Sequence, residues 1–254
     1  MKKNDLKLKL KNRELSIGSW ISTGNSSVTE IMAQVGFEWL TIDMEHSAID
    51  ISQAQELIRI VELSGIASLV RVSNNSPEVI KRVMDAGAHG VIVPMVNSKD
   101  EAEQAVKSVK YPTAGIRSVG LSRAQKYGFD FVGYKKWLEE GSIVIVQIEH
   151  IQAIKELEAI LSTPGVDGSI IGPYDLSGSL GCPGEFDRPE VKAELLKYEE
   201  VCNRLNKPMG FHIVQPDPEL TNKYKLKGYT FLAVGLDTLY LGGKCREVLN
   251  EINK

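Results

Sequence analysis

The acidic side chains that best suit catalysis follow apolar runs of the kind that form buried strands. Glu149 ends the run at 143–149, and Asp175 lies three residues beyond the run at 168–172. Gln147 and Glu149 are two residues apart, so in a strand their side chains point to the same face. Two carboxylates without nearby cysteines or paired histidines suit a hard divalent cation such as Mg²⁺ or Mn²⁺. We therefore predict a metal site whose protein ligands are Glu149 and Asp175.

Two earlier apolar runs also end in charged or titratable side chains. Asp43 and Glu45 are two residues apart and share a face, with His46 directly after them. Arg71 lies near the end of the next apolar run. Burial of such charges is costly unless they pair with each other or bind something. We therefore expect these side chains to meet the two carboxylates in one site.

These residue types together could form the enolate of a 2-oxo acid. A divalent cation can chelate the carboxylate and ketone oxygens and stabilise the enolate. Arg71 could clamp the substrate carboxylate or the developing oxyanion, and His46 could move the proton. Asp43 and Glu45 would then hold His46 in the right tautomer. The alternative is that the same charges form a salt-bridged plug that only closes a barrel, but as a set they make a usable catalytic constellation.

The elements that must position these residues are short apolar runs that alternate with amphipathic helical patterns. The predicted strands are 16–22, 38–44, 67–72, 90–95, 143–149, 168–172, 209–214 and 230–235. Eight strand–helix units in about 250 residues predict an α/β fold, a closed (β/α)8 TIM barrel that forms a single domain over 1–254. An open, doubly wound sheet is the alternative. In such barrels the catalytic residues lie at the carboxyl ends of the strands.

The sequence also predicts positions for one long connection, for the start of the chain and for three histidines. Residues 111–141 form a long connection, which we expect to be an inserted loop and helix near the active site. The lysine-rich start of the chain is predicted to be solvated. His89 precedes a strand and His212 lies within one, so both are interpreted as structural, and His150 is interpreted as a helix start.

Composition excludes several classes of function. The formal net charge of −3 offers no basic footprint for nucleic acid, and no apolar run approaches the roughly 20 residues that span a bilayer. Three distant cysteines and the lack of a signal peptide predict reduced thiols and a cytoplasmic location. No predicted strand contains a lysine for Schiff-base chemistry. The loops after the seventh and eighth strands lack glycine-rich phosphate cups, which favours a non-phosphorylated substrate.

Four ordered blocks of the sequence resemble the HpcH/HpaI aldolase family. They are EWLTIDMEH, VIVPMVNSKDEAEQAVKSVKYPTAGIRSVG, VQIE and VDGSIIGPYDLSGSLG, and the resemblance runs from about Gly18 to Asp237. It implies a class II pyruvate aldolase, such as 4-hydroxy-2-oxoheptanedioate aldolase or 2-dehydro-3-deoxyglucarate aldolase. It also implies a TIM barrel and homohexamers, trimers of dimers that swap their last helix. Thr113 and Ser118 depart from the family pattern, which usually has a second proline and a glycine there.

The resemblance assigns roles to individual residues. The implied divalent metal is Mg²⁺ or Mn²⁺, with Co²⁺ and Zn²⁺ as alternatives, and its ligands are Glu149 and Asp175. His46 is the implied acid–base residue, and Asp85 would reach the His46 of a neighbouring subunit. The implied substrate-binding residues are Arg71, Gln147, Gly172 and Pro173.

Three functions are carried forward. The first is a metal-dependent aldolase that cleaves a 4-hydroxy-2-oxo acid to pyruvate and an aldehyde. The second is an acyl-CoA-dependent carbon–carbon lyase of the citrate or malyl-CoA lyase type, which needs a basic groove, whereas the expected rim offers mainly Arg71, Arg117 and Arg123. The third is a non-catalytic barrel that acts as a binding or assembly module.

Overall fold

The structure is a computed structural model that describes residues 5–253. Eight parallel strands pair in sequence order and close into a barrel, with β8 pairing β1. The predicted TIM barrel is therefore confirmed, and the open sheet is wrong. The strands are β1 (Ser16–Ile21), β2 (Trp39–Asp43), β3 (Ala67–Arg71), β4 (Gly90–Val93), β5 (Ile143–Ile148), β6 (Gly168–Ile171), β7 (Met209–Ile213) and β8 (Phe231–Leu236).

Helices surround the barrel and connect its strands. They are α1 (Leu6–Asn12), α2 (Ser26–Gln34), α3 (Ile51–Leu63), α4 (Pro77–Ala86), α5 (Lys99–Val109), α6 (Phe131–Gly141), α7 (Ile151–Lys155), α8 (Leu157–Leu161), α9 (Pro173–Ser179), α10 (Pro189–Arg204), α11 (Pro218–Leu226) and α12 (Asp237–Ile252). Within residues 5–253, no helix is both long enough and apolar enough to cross a membrane.

Side-chain alternation along the strands builds two apolar layers. In β5, Ile143 and Ile145 belong to the cluster inside the barrel, whereas Val144, Val146 and Ile148 belong to the layer between barrel and helices. The same alternation continues through Gln147 to Glu149, which therefore face inward at the carboxyl end of the strand. An apolar outer face and a polar inner end explain why this run ends in an amide and a carboxylate.

The first helix closes the amino-terminal end of the barrel. Leu6 and Leu10 lie one turn apart on the same face, are 3% and 2% exposed, and pack into the interior cluster. Lys7 donates a hydrogen bond to the Ser142 carbonyl oxygen at 2.7 Å. The prediction of a solvated first segment is therefore wrong for α1, because its lysines lie on the rim while its leucines fill the barrel floor. Residues 1–4 of that segment lie outside the described residues.

Polar caps start several of the helices. Asp50 accepts a hydrogen bond from the Gln53 backbone N–H, and the Gln53 side chain accepts one from the Asp50 N–H, which is a capping box before α3. His150 caps α7 by accepting a hydrogen bond from the Gln152 N–H at 3.1 Å. The interpretation of His150 as a helix start is confirmed.

Candidate active site

A cleft of about 860 Å³ opens at the carboxyl ends of the strands. It is lined by seven residues that the sequence nominated, namely Asp43, His46, Arg71, Gln147, Gly172, Pro173 and Asp175. Glu149 is 3% exposed and hydrogen-bonded to Gln147, so it lies directly beneath this lining. The barrel therefore brings side chains from β2, β3, β5 and the loop after β6 to one place.

Arg71 is the most firmly held side chain of the cleft. Its Nε and Nη2 donate to the two carboxylate oxygens of Asp43 at 2.9 and 2.7 Å, and its Nη1 lies 3.2 Å from Glu45 Oε2. The guanidinium also stacks on the Trp20 ring, with Cζ 4.3 Å from the ring centroid. Because a guanidinium has five N–H groups, these three contacts leave donors for a substrate oxygen.

The pKa values of the two carboxylates beside Arg71 are shifted in opposite directions. Burial disfavours the charged form of Asp43, but the Arg71 hydrogen bonds and charge, with two backbone N–H groups, lower its pKa. Burial raises the pKa of Glu45, and the charge of Arg71 offsets this only in part. Asp43 contacts the backbone N–H of His46 at 3.3 Å, not its ring. The expectation that Asp43 fixes the His46 tautomer is therefore wrong, and Asp43 instead positions Arg71.

Glu149 is a buried carboxylate whose two oxygens each accept one hydrogen bond. Its Oε1 accepts a hydrogen bond from the Met95 N–H at 2.7 Å, and its Oε2 accepts one from Gln147 Nε2. Burial raises its pKa, and the nearby charges of Glu45 and Asp175 act in the same direction. Three acidic side chains thus share a region of cleft where each disfavours the ionisation of its neighbours.

Gly172 lies against this carboxylate because it has no side chain. A Cβ at position 172 would stand 2.9 Å from Glu149 Cβ and 3.0 Å from Glu149 Oε2, closer than side chains normally approach. Pro173 follows as the first residue of α9, where a missing N–H costs nothing, and the helix then places Asp175 in its first turn. The Gly-Pro pair therefore lets the loop after β6 reach Glu149.

The residues present fit a divalent cation held by two carboxylates. Among residues 5–253, Gln147 Oε1 is a buried oxygen without a hydrogen-bond partner, and Glu149 lies near the negative charges of Glu45 and Asp175. In the part of the chain that the structure describes, no three His, Cys, Asp or Glu side chains are placed to hold a metal ion together. Glu149 and Asp175 would therefore share an ion with water and substrate, as Mg²⁺ sites commonly do.

Three residues of the site were missed in the sequence. Trp20 stacks between Arg71 and His212, and the indole and imidazole rings are 4.9 Å apart with an interplanar angle of 8°. Burial lowers the pKa of His212 to about 4, and its Nε2 lies 3.0 Å from the Gly235 carbonyl oxygen. His212 lines the cleft, so its interpretation as purely structural is incomplete.

His89, by contrast, is buried against Ser68 at the opposite end of the barrel, as expected.

Met95 is the third of these residues, and its backbone is unusual. It has a φ of +51°, in the left-handed region that methionine rarely adopts, directly after β4 and Pro94. This conformation accompanies the hydrogen bond from its N–H to Glu149. Methionine carries no sequence signal for such a backbone, so only the structure reveals it.

The long segment before β5 does not border this cleft in one chain. Arg117 is buried beneath the Tyr111 ring and donates to the Tyr134 hydroxyl at 2.8 Å, while Arg123 donates to the Ala86 carbonyl oxygen at 3.0 Å. Both arginines pack near the end of α4, at the opposite end of the barrel. Within a single chain, the expectation that residues 111–141 and these arginines reach the rim is therefore wrong. Ser118 has no positive φ, so it needs no glycine.

Asp85 also lies at the end of α4, away from the His46 of its own chain. Its Oδ1 is 3.9 Å from Arg117 Nη1 and accepts no hydrogen bond from residues 5–253. Burial raises its pKa despite the charge of Arg117. His46 stands at the cleft with a side chain that is 68% exposed, and its Nε2 is 3.8 Å from Glu45 Oε2.

Comparison with known proteins agrees with this architecture. The model of the HpcH/HpaI aldolase/citrate lyase family matches residues 16–241. A 5-keto-4-deoxy-D-glucarate aldolase of Shigella dysenteriae is 37% identical over 92% of this chain and 91% of its own. A 2-dehydro-3,6-dideoxy-6-sulfogluconate aldolase of Pseudomonas putida is 34% identical over 94% and 93%. The crystal structure of an HpcH/HpaI aldolase/citrate lyase family protein from Burkholderia cenocepacia has a TM-score of 0.93 at 30% identity, covering 99% of this chain and 100% of that one.

The structure is a (β/α)8 barrel, and its family match and its relatives, which are named as aldolases, make it an enzyme of the carbon–carbon lyase class. The chain belongs to the HpcH/HpaI aldolase/citrate lyase family, since the family match covers nearly all of the barrel.

Proposed function

We propose that this protein is a divalent-metal-dependent aldolase that cleaves a 4-hydroxy-2-oxo acid of the 2-keto-3-deoxy sugar acid type to pyruvate and an aldehyde. The observation that carries the proposal is that Asp175 and Arg71 line one cleft, with the buried Glu149 beside it and within reach of the charge of Asp175. The carboxylates suit a Mg²⁺ or Mn²⁺ ion, and the arginine suits the carboxylate of a 2-oxo acid.

The residues of the chain have distinct roles in this reaction. When bound, the cation would supply a Lewis acid for the ketone oxygen, held by Glu149 and Asp175. Arg71 binds the pyruvate carboxylate and the enolate oxygen through the N–H groups that Asp43 and Glu45 leave unused. Gln147 lies beside the substrate, while Gly172 and Pro173 form the wall that keeps its oxygens close to Glu149.

His46 is the proposed acid–base residue. Cleavage breaks the bond between the third and fourth carbons, with the electron pair passing to the pyruvate enolate. The 4-hydroxyl proton leaves as the aldehyde forms, and the enolate carbon is then protonated. The exposed His46 ring can reach a substrate or a bound water, and its Nε2 lies 3.8 Å from Glu45 Oε2. We further propose that Asp85 of a neighbouring subunit assists His46, because its Oδ1 has no hydrogen-bond partner within its own chain's described residues.

A homo-oligomer, a hexamer by family resemblance, is part of this proposal. In α12, Asp237 is buried, whereas Leu241, Leu249 and Ile252 are 64%, 57% and 73% exposed. A groove of about 750 Å³, lined by Phe37, Val234 and other residues, lies at the base of this helix. An exposed apolar helix beside an open groove is typical of a surface that another subunit covers.

We expect Leu249→Glu to shift the protein towards smaller species in sedimentation velocity, because a buried charge in the subunit contact is costly. Leu8→Glu, at an equally exposed leucine of α1, is the matched control and leaves the distribution unchanged. A wild-type protein that sediments as a monomer would contradict the oligomer and the role of Asp85.

The acyl-CoA lyase is not favoured by the cleft. Of the three arginines that the sequence offered to the phosphates of CoA, only Arg71 lines it, and Arg71 is already paired with Asp43 and Glu45. The free Cys182, Cys202 and Cys245 support a cytoplasmic location.

The experiment that tests the function is exchange of the pyruvate methyl protons for deuterium, followed by NMR in D₂O. It requires the enolate but no knowledge of the aldehyde. We expect exchange with Mn²⁺ or Mg²⁺, and none after removal of the metal. An inert binding module would give no exchange under either condition.

A further inference from the structure

We propose that His212 determines substrate specificity by accepting, at its Nδ1, a hydrogen bond from the hydroxyl of an α-hydroxyaldehyde. This inference rests on the proposed aldolase function and narrows its substrate class. In the 4-hydroxy-2-oxo acid the hydroxyl is on the fifth carbon, next to the carbon that becomes the aldehyde.

His212 faces the cleft because of its place in β7. The alternate residues of this strand belong to the layer between barrel and helices, namely Met209, Phe211 and Ile213. His212 therefore points to the other face of the strand, into the barrel. It is partly buried and lines the same cleft as Arg71. The strand thus holds the imidazole ring where a substrate can contact it.

The hydrogen bond to Gly235 fixes the tautomer of His212. Its Nε2 lies 3.0 Å from the Gly235 carbonyl oxygen, which can only accept a hydrogen bond, so Nε2 carries the proton. Burial lowers the pKa of His212 to about 4, so the ring is neutral at physiological pH and Nδ1 is an acceptor. In the described part of the chain, Gly235 is the one hydrogen-bond partner of the ring. Nδ1 is therefore available to a donor on the substrate.

The wall that carries His212 also carries the carboxylate clamp. Trp20 stacks between Arg71 and His212, with Arg71 Cζ 4.3 Å and the imidazole centroid 4.9 Å from the indole ring. A substrate whose carboxylate binds Arg71 and whose chain extends past Trp20 brings its later hydroxyls to His212. The clamp and the hydroxyl acceptor thus follow each other in the order in which a sugar acid carries these groups.

Binding suits His212 better than proton transfer does. A general base is most efficient when its pKa is near the working pH, and the pKa of His212, at about 4, lies well below it. A neutral acceptor instead favours a substrate with a hydroxyl, because an analogue without one leaves the acceptor unpaired in the closed complex. His212 would therefore select among aldehydes without taking part in the chemical step.

The first test compares two aldehydes of matched shape, with pyruvate as the common partner. They are glycolaldehyde and propanal, in which a methyl group replaces the hydroxyl, and NMR gives the concentration of the free aldehyde in each. We expect kcat/KM for glycolaldehyde to exceed that for propanal by about tenfold, the effect of one hydrogen bond. Equal values, or a preference for propanal, would overturn the inference. Pyruvate deuterium exchange by the same wild-type sample is measured alongside, and its absence identifies a failure of the aldolase function itself.

Three variants of His212 separate the roles of its two ring nitrogens. His212→Asn can place an amide oxygen near the position of Nδ1, His212→Gln can place an amide near that of Nε2, and His212→Phe keeps only the stack on Trp20. We expect the ratio of kcat/KM for glycolaldehyde over propanal to stay near the wild-type value in His212→Asn. In the other two variants it should fall by about tenfold. A loss of enolate formation would affect both aldehydes and cancels in this ratio.

Gln215→Leu, at an exposed amide of the same cleft, is the matched control and leaves the ratio unchanged. Thermal unfolding shows which variants are folded. An unchanged ratio in folded His212→Phe or His212→Gln would contradict the role of Nδ1. A fall of the ratio in Gln215→Leu without one in the His212 variants would contradict it as well, since the hydroxyl would then bind elsewhere.

Discussion

Glu149→Gln is expected to yield a folded protein that has lost most of its metal affinity. The substitution keeps the side-chain volume and removes one of the two ligand charges. Removal of a side chain that only hydrogen-bonds a metal ligand typically lowers metal affinity about 10–100-fold. Removal of the ligand itself should therefore lower metal affinity on the order of 100-fold or more. Isothermal titration with Mn²⁺ measures the effect directly.

The fold should tolerate this change because the native carboxylate is electrostatically unfavourable. Burial and the charges of Glu45 and Asp175 raise the pKa of Glu149, so a neutral amide relieves repulsion. The amide oxygen can still accept the hydrogen bond from the Met95 N–H. We expect an unchanged or higher melting temperature without metal. Glu200→Gln, on the exposed side of α10, is the control for metal titration. Mn²⁺ binding of wild-type strength by Glu149→Gln would remove Glu149 from the ligand set.

Arg71→Lys is expected to lose activity far more than stability. Lysine keeps the positive charge but cannot form the paired bonds that Arg71 makes to Asp43 while still presenting N–H groups to a substrate. Removal of one such donor typically costs about 10²–10³ in kcat, and we expect a loss of that order. The KM for pyruvate should rise as well, because the carboxylate clamp is weakened.

Steady-state kinetics and thermal unfolding distinguish this role from a structural one. Arg82→Lys, at an exposed arginine of α4, is the matched control and should keep both kcat and KM. A large fall in melting temperature with normal turnover would make Arg71 a structural part of a salt-bridged plug. That outcome would favour the alternative in which these charges only close the barrel.

The barrel could be predicted because strand patterns alternate with helix patterns along the sequence. The inward-facing strand ends could be predicted because side chains alternate between the two faces of a strand. Gln147 and Glu149 continue the inward face of β5, and Asp43 and Glu45 meet Arg71 because neighbouring parallel strands end at one rim. Which side chains face inward depends on their alternation along a strand, and which strands are neighbours depends on strand order. A single sequence carries both kinds of information. The site residues could therefore be placed together before the structure was known, whereas their roles stay predictions.

Other features depend on packing that no local pattern encodes. Trp20 reads as an ordinary strand residue, yet it stacks on Arg71 only because β1 and β3 both flank β2. The positive φ of Met95 accompanies the hydrogen bond from its N–H to Glu149, which is distant in the sequence. Leu6 and Leu10 look like isolated apolar residues in a lysine-rich segment until the barrel floor gives them a cavity to fill. The placement of Arg117 depends on which end of the barrel receives a long connection.

The measurement that tests the central claim most directly is metal dependence of pyruvate deuterium exchange. The protein is stripped with EDTA, assayed by NMR in D₂O, and assayed again after Mn²⁺ or Mg²⁺ is restored. The proposed function predicts exchange that disappears with the metal and returns with it. Exchange that survives EDTA would contradict the metal mechanism, and no exchange with either metal would contradict the pyruvate aldolase itself.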